Sequence, residues 1–173
     1  YLTQFVRELT PLLHEQGLTV SIDITVRSKS PTWSLFLERD KLSETVDYVM
    51  LMSYDQYSSG SGVAGPVSSI SWTESNIVTT LLEVPSKKLV LGIPFYTRLW
   101  TERTEDGTTT VTSKALGMES VSKWLREQNV TPSYQAQTGL FYAEKRTGST
   151  TYKVWIEDAS SVEKRVELAN KYS

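Results

Sequence analysis

The sequence predicts an α/β protein whose parallel strands alternate with helices and are followed by a small α+β insertion. Three observations carry this prediction. Apolar strands alternate with amphipathic helices through the first part of the chain, as in parallel sheets covered by helices. Shorter strands separated by turn signals then follow, before a final helix. The chain of 173 residues is 39% hydrophobic, which is enough to bury a sizeable core.

The first part of the chain has a regular helix and strand order. Apolar residues at helical spacing predict a helix over residues 1–16, where Gly17 ends it and Pro11 kinks or splits it. Runs rich in apolar and β-branched residues predict the strands, and helical periodicity predicts a further helix. The strands are expected at residues 18–26, 46–53 and 88–96, and the helix at residues 73–82.

The pattern changes after Arg98. The segment TERTEDGTTTVTS is typical of a β-hairpin, and Ser113 at its end is expected to cap a helix. The apolar face of that helix carries Leu116, Met118, Val121, Trp124 and Leu125. Short strands are predicted near residues 133–137, 139–145 and 150–156, and a last helix near residues 159–172. This part therefore has the character of an α+β insertion before the α/β order resumes.

Composition excludes several classes of function. The formal net charge is -2 and the basic residues are scattered, so no nucleic-acid partner is expected. No apolar run is long enough to cross a membrane. Cysteine is absent, which excludes disulfides and thiolate chemistry. The first residue is Tyr1, already within a helical pattern, so we expect the true N-terminus to lie outside this sequence.

Polar and aromatic residues follow two of the apolar strands at their carboxyl ends. Ser53, Tyr54 and Asp55 end the second strand, and Phe95, Tyr96 and Arg98 end the third. Ligands of parallel α/β proteins bind beyond these ends, so one rim is expected to carry phenols, a carboxylate and a guanidinium. Such a mixture suits a sugar, whose faces pack on rings while its hydroxyls bind polar groups. The alternative is structural: Tyr54 lies at the edge of the core and Asp55 caps the next loop.

Two stretches, VDYVMLMSYD and LVLGIPFYTR, resemble the sixth and seventh strands of glycoside hydrolase family 18, the chitinase-like barrels. The family pattern M-x-Y-D is matched from Met52 to Asp55. The pattern G-[VI]-P-[FL]-Y-G-R is matched from Gly92 to Arg98, with Thr97 in place of the usual glycine. YLTQFVREL near the start and YKVWIEDASSVEKRVELA near the end are most similar to the bacterial branch of spore germination and cortex hydrolysis.

The resemblance implies about the last half of a (β/α)8 barrel with an insertion. The barrel part would comprise residues 1–98 and 158–173, and the α+β insertion residues 99–157. In the family, a glutamate ending a D-x-x-D-x-D-x-E motif is the general acid, and no segment of this sequence matches that motif. We therefore expect this chain to be a C-terminal part whose missing barrel half carries the acid, and to be inactive by itself.

The resemblance also implies a chemistry and roles for individual residues. Family 18 enzymes are retaining hydrolases in which the acetamido group of the substrate assists. Tyr54 and Asp55 would be catalytic, with Tyr54 donating to the acetamido oxygen. Met52, Tyr96, Arg98 and Trp100 would bind the substrate, a polysaccharide of N-acetylated sugars. No metal or cofactor is expected, and the location would be extracellular or in the cell envelope or spore.

Two function classes remain open at this point. The first is a hydrolase of N-acetylglucosamine-containing polymers, with peptidoglycan cortex favoured over chitin. The second is a catalytically silent glycan-binding relative that has lost the glutamate but kept the fold. The residues preceding Tyr1 would separate the two. A third possibility is an unrelated doubly wound domain complete in itself, which would show an open sheet with both edges covered.

Overall fold

The computed structural model describes all residues from Tyr1 to Ser173. They form two compact units. The first unit comprises Tyr1–Ser53, Glu74–Gly92 and Leu168–Ser173, and the second comprises Tyr54–Thr73 and Ile93–Glu167. The α-helices are Leu2–Glu15 (α1), Arg39–Thr45 (α2), Ile70–Thr80 (α3), Met118–Gln128 (α4) and Ala159–Lys171 (α5). Single turns of π-helix and 3-10 helix lie at Pro31–Leu35 and Ser86–Lys88. No helix is long and apolar enough to cross a membrane.

The first unit is built on three parallel strands, as the sequence predicts. They are Ser21–Thr25 (β1), Tyr48–Met52 (β2) and Leu89–Gly92 (β3), in the spatial order β1-β2-β3. Ile24 and Leu51 are paired and lie on one face of this sheet, where both are completely buried. The alternating residues Asp23 and Met50 are also paired and lie on the opposite, more accessible face. The unit therefore has one closely packed sheet face.

Helix α1 is continuous, so the expectation that Pro11 splits it is wrong. Proline removes one backbone donor, but the amphipathic helix keeps Val6 and Thr10 packed against the protein. Gly17 ends the helix as predicted. It has a φ of 71°, and its amide donates to the carbonyl of His14 at 2.9 Å, as in common helix C-caps.

The second unit contains a five-stranded antiparallel sheet. Its strands are Tyr96–Glu105 (β4), Thr108–Gly117 (β5), Ser133–Gln135 (β6), Leu140–Thr147 (β7) and Thr150–Ile156 (β8), in the spatial order β5-β4-β8-β7-β6. Asp106 and Gly107 form the turn between β4 and β5, and both have positive φ. Such a conformation is what a tight hairpin of this kind requires. The hairpin predicted from TERTEDGTTTVTS is therefore confirmed, with longer strands than expected.

Both faces of this sheet are covered. Trp100, Leu140 and Trp155 form a buried cluster on one face, against which Tyr57 and Ile70, the first residue of α3, pack. On the other face, Val121 of α4 packs with Ala143 and Val154. The sheet therefore serves as a rigid platform between helix α4 and the segment that precedes α3.

Two predicted features of this region are wrong. Ser113 does not cap a helix, because it lies inside β5 and α4 begins five residues later with Gly117 as its N-cap. The third parallel strand does not extend to residue 96. It ends at Gly92 because Pro94, which has no amide hydrogen, cannot continue a hydrogen-bonded ladder. Tyr96 and Arg98 consequently lie on β4 of the antiparallel sheet.

Candidate functional site

The loop of residues 54–69 begins the second unit and carries Tyr54 and Asp55. Hydrogen bonds tie it together at its ends. The amide of Gln56 donates to the carbonyl of Val67 at 2.8 Å, and the side-chain oxygen of Gln56 accepts from the amide of Ser69 at 2.8 Å. A further bond fastens the loop to the sheet: the indole nitrogen of Trp100 donates to the carbonyl of Gly65 at 2.8 Å. The residues at the start of the loop are thus attached to a fixed frame.

Gly65 gives this loop a tight contact that only glycine allows. A Cβ atom added at Gly65 would lie 2.3 Å from Cδ2 of Tyr57, whereas one added at Gly60 would meet nothing within 4 Å. Gly65→Ala is therefore expected to lower the free energy of unfolding by about 1–3 kcal/mol through overpacking. Urea denaturation should show this loss in Gly65→Ala and little change in Gly60→Ala. Equal stability of the two variants would contradict the close packing of this loop.

Asp55 adopts a left-handed backbone conformation with a φ of 60°. This conformation is uncommon for residues other than glycine, although aspartate and asparagine tolerate it better than most. Its carboxylate oxygen Oδ1 accepts a hydrogen bond from the hydroxyl of Tyr96 at 2.6 Å. The same oxygen lies 3.9 Å from Nη2 of Arg98. A single carboxylate oxygen therefore links the loop to two side chains of β4.

The phenol of Tyr96 is held in its protonated form. Burial raises its pKa well above the ordinary value, and the hydrogen bond to Asp55 and the negative charge of that carboxylate raise it further. The nearby Arg98 opposes this rise in the pKa of Tyr96, and Tyr54 adds slightly to it. At neutral pH, Tyr96 is consequently a hydrogen-bond donor to the side chain of Asp55.

Arg98 retains unused donors. Its Nη1 donates to the hydroxyl of Ser113 at 3.3 Å, while Nε is buried without a hydrogen-bond partner. The distance of 3.9 Å between Nη2 and Asp55 exceeds a hydrogen bond. The side chain is only 15% exposed, in contrast to 47% for Asp55. A guanidinium of this kind can bind an acceptor atom that enters beside Asp55.

The structure thus brings together three of the predicted site residues, namely Asp55, Tyr96 and Arg98, and Tyr54 directly precedes Asp55 in the chain. Met52 is the last residue of β2 in the first unit, where it pairs with Thr25 and Gly92 and is half-buried. No group of three or more histidine, aspartate or glutamate side chains is arranged to hold a metal ion.

Trp100 is not available to a ligand, so the prediction that it binds the substrate is wrong. Trp100 lies within β4 and has no exposed surface. Its ring packs against Leu140 and Trp155, and its nitrogen is already bonded to Gly65. Stacking on a sugar needs an accessible ring face, which this residue lacks.

Two residues that hold the site residues in place were not predicted from the sequence. Gln56 closes the loop next to Asp55, and Ser113 holds Arg98. The predicted hairpin of β4 and β5 could have indicated Ser113, because side chains of paired residues on neighbouring strands lie on the same face of the sheet. The signal for Gln56 is weaker, since a glutamine in a polar loop has no distinctive pattern.

Comparison with known proteins decides the family. The model of the glycosyl hydrolases family 18 matches the whole chain, residues 1–173. The chain belongs to this family. Among curated relatives, this family 18 chain is 28% identical over 169 residues to the cortical fragment-lytic enzyme of Bacillus subtilis, a match that covers 95% of the chain and 38% of the relative. The similarity to the cortex-lytic branch is thereby confirmed.

Solved structures show the same fold. The spore cortex-lytic enzyme SleL of Bacillus cereus matches with a TM-score of 0.86 at 20% identity, over 99% of this chain and 40% of that one. The chitinase of Chromobacterium violaceum matches with a TM-score of 0.84 at 23% identity, over 98% of this chain and 52% of that one. These matches confirm the predicted fold class, part of a (β/α)8 barrel with an α+β insertion.

The matched share of the relatives is limited. The family 18 chain spans between 38% and 49% of the length of the curated relatives it matches.

Proposed function

We propose that the protein containing this chain is a retaining glycoside hydrolase that cleaves polymers of N-acetylglucosamine with assistance from the substrate. The observation that carries the proposal is the contact of Asp55 with both Tyr96 and Arg98 in a member of family 18. Here a carboxylate, the phenol of Tyr96 and a partly unpaired guanidinium converge, which suits a neutral ligand rich in hydroxyl and amide groups.

In the proposed mechanism, the acetamido carbonyl oxygen of the sugar forms a bond to its own anomeric carbon. The bond from that carbon to the leaving oxygen breaks, and a general acid protonates the leaving group. Water then attacks the anomeric carbon, so that the ring-closed intermediate opens with overall retention. The enzyme must hold the acetamido group in line for attack, because orientation supplies much of the rate enhancement.

The residues of the cluster have separate roles in this proposal. Tyr54 donates a hydrogen bond to the acetamido oxygen and so holds the acetamido group in line for attack. Asp55 binds the substrate and influences the general acid through its charge, while Tyr96 holds the Asp55 carboxylate. Arg98 binds a sugar oxygen. Met52 supports the sugar from below by packing.

The general acid is proposed to lie outside residues 1–173. No D-x-D-x-E segment occurs in this sequence. We propose that residues 1–98 and 158–173 are the C-terminal part of the barrel, that residues 99–157 are the insertion, and that the missing barrel half supplies the acid. The 173 residues by themselves are then inactive.

The favoured substrate is the peptidoglycan of the spore cortex. The name of the cortical fragment-lytic relative supports this choice over chitin, as does its similarity along 95% of the chain. A polymer substrate of this kind would place the protein outside the cytoplasm, in the cell envelope or the spore. The partner is a polysaccharide with N-acetylated sugars.

Tyr54→Phe tests the proposed reaction in the whole protein. The wild type should release reducing sugar from an N-acetylated glycan, and the variant should lose turnover by about 10- to 100-fold while its affinity changes little. This split is expected because the phenol mainly aligns the acetamido group for attack and adds little to the affinity. Kinetics on soluble N-acetylglucosamine oligomers would measure both constants.

Equal turnover of the Tyr54→Phe variant would count against the role of Tyr54. A wild-type protein that binds the oligomers without releasing reducing sugar would instead identify a silent glycan-binding relative. Full activity of residues 1–173 in isolation would overturn the location of the acid.

A further inference from the structure

The side chain of Arg98 is oriented by one hydrogen bond. An arginine carries three nitrogen atoms, which share five N–H donors in a rigid plane. In Arg98, Nη1 donates to the Ser113 hydroxyl at 3.3 Å, Nε has no partner, and Nη2 lies 3.9 Å from Asp55. The hydrogen bond therefore uses Nη1, while Nη2 is the guanidinium nitrogen that lies beside Asp55.

Ser113 is well placed to hold this plane. In the antiparallel pair of β4 and β5, Arg98 faces Ala115 and Trp100 faces Ser113. Arg98 and Ser113 are therefore diagonal neighbours on one face of the sheet, within reach of a long side chain. Trp100 follows Arg98 by two residues on β4 and faces Ser113. It is completely buried and fixes this part of the strand. A short side chain on such a strand has little freedom to move.

We infer that Ser113 is a positioning residue, which sets the rotation of the Arg98 guanidinium so that Nη2 faces the space beside Asp55. The inference rests on the proposed function, in which Arg98 binds a sugar oxygen. A guanidinium that is held in one plane presents its N–H groups to an acceptor in a defined direction. Without the Ser113 hydroxyl, the guanidinium can rotate. Ligand binding must then restrict this rotation, and the lost entropy weakens the affinity.

Kinetics of the whole protein on N-acetylglucosamine oligomers test the inference. Ser113→Ala should raise KM about tenfold, the effect of losing one hydrogen bond to a charged group, with kcat nearly unchanged. Ser113→Thr keeps the hydroxyl on a β-strand and should restore KM. Thr112→Ala is the matched control, because Thr112 is exposed and points to the opposite face of β5. An unchanged KM in Ser113→Ala, or an equal rise in Thr112→Ala, would overturn the inference.

A double-mutant cycle separates positioning from general stability. In an Arg98→Lys background the planar guanidinium is replaced by an ammonium group. Ser113→Ala should therefore have no further effect on KM. A full additional tenfold rise in that background would show that Ser113 does not act through Arg98. Melting temperatures of the variants should agree with that of the wild type, since Ser113 is outside the buried clusters.

A readout without substrate distinguishes this inference from the proposed function. NMR of the guanidinium nitrogens of Arg98 should show slow rotation in the wild type and in Ser113→Thr, and faster rotation in Ser113→Ala. If the wild type neither hydrolyses nor binds the oligomers, the proposed function fails while this result still decides the role of Ser113. Identical rotation rates in all variants would overturn it.

Discussion

Asp55→Asn should lower kcat/KM of the whole protein on N-acetylated oligomers by at least about 100-fold. The carboxylate accepts from Tyr96 at 2.6 Å and lies 3.9 Å from Arg98, so it organises the whole cluster. Asparagine has the same shape but no charge. It would still accept from Tyr96, whereas it could neither attract Arg98 nor act electrostatically on a neighbouring acid.

The backbone of Asp55 makes asparagine the right substitution. A φ of 60° is left-handed, and asparagine adopts this conformation as readily as aspartate. Asp106 provides the matched control, because it is also left-handed, with a φ of 47°, but lies in the exposed turn between β4 and β5. Asp106→Asn should retain wild-type kinetics. If Asp55→Asn retained them as well, the carboxylate would have no part in the reaction.

Arg165→Met should lower the free energy of unfolding by about 3–5 kcal/mol, the usual effect of breaking a buried ion pair. Arg165 and Glu157 are 0% and 3% exposed, and two hydrogen bonds join them at 2.6 and 2.9 Å. Arg165 also donates to the carbonyl of Ser68 at 2.5 Å, at the end of the loop that begins with Tyr54. Its removal leaves a carboxylate buried without its cation.

The loss should depend on pH in a definite direction. Burial raises the pKa of Glu157, and the charge of Arg165 opposes that rise. Without Arg165 the folded pKa lies further above that of the unfolded chain, so between these two values the folded state binds more protons. The free energy of unfolding of Arg165→Met then falls as pH rises through this range. Its loss relative to the wild type should therefore be larger at about pH 8 than at about pH 5.

Denaturation of three variants checks this account. Arg165→Met should be strongly destabilised, and a second substitution, Glu157→Leu, should recover much of the loss because it removes the unpaired carboxylate. Arg103→Met is the control, since the pair of Arg103 and Glu105 is 60% and 62% exposed and contributes little. A small, pH-independent effect of Arg165→Met would contradict the importance of the buried pair.

The parallel strands were predictable because their apolar composition reflects the burial of one sheet face. Residues such as Val49 and Leu51 are apolar, β-branched or both, and the parallel pairing of all three strands followed from their alternation with helices. The hairpin turn at Asp106 and Gly107 was predictable for a local reason, since few residues adopt positive φ. These features depend on neighbours in sequence.

The remaining features depend on contacts between distant residues. Trp100 looks like a ligand-binding ring when only its position after Arg98 is known, but its partners Gly65, Leu140 and Trp155 bury it. Ser113 resembles a helix cap until β5 is seen to extend past it.

The site itself was predictable in part. Motif matches identified Asp55, Tyr96 and Arg98, which the fold brings together across more than forty positions of sequence. The orientation of Arg98 was not predictable, because it depends on a hydroxyl from the neighbouring strand.

The structure of the whole protein with a bound N-acetylglucosamine oligomer, or with a stable analogue of the ring-closed intermediate, tests the central claim most directly. The account predicts that the acetamido oxygen accepts a hydrogen bond from Tyr54, and that ligand oxygens lie within hydrogen-bond distance of Asp55 and Arg98. A ligand bound elsewhere, with this cluster untouched, would contradict it.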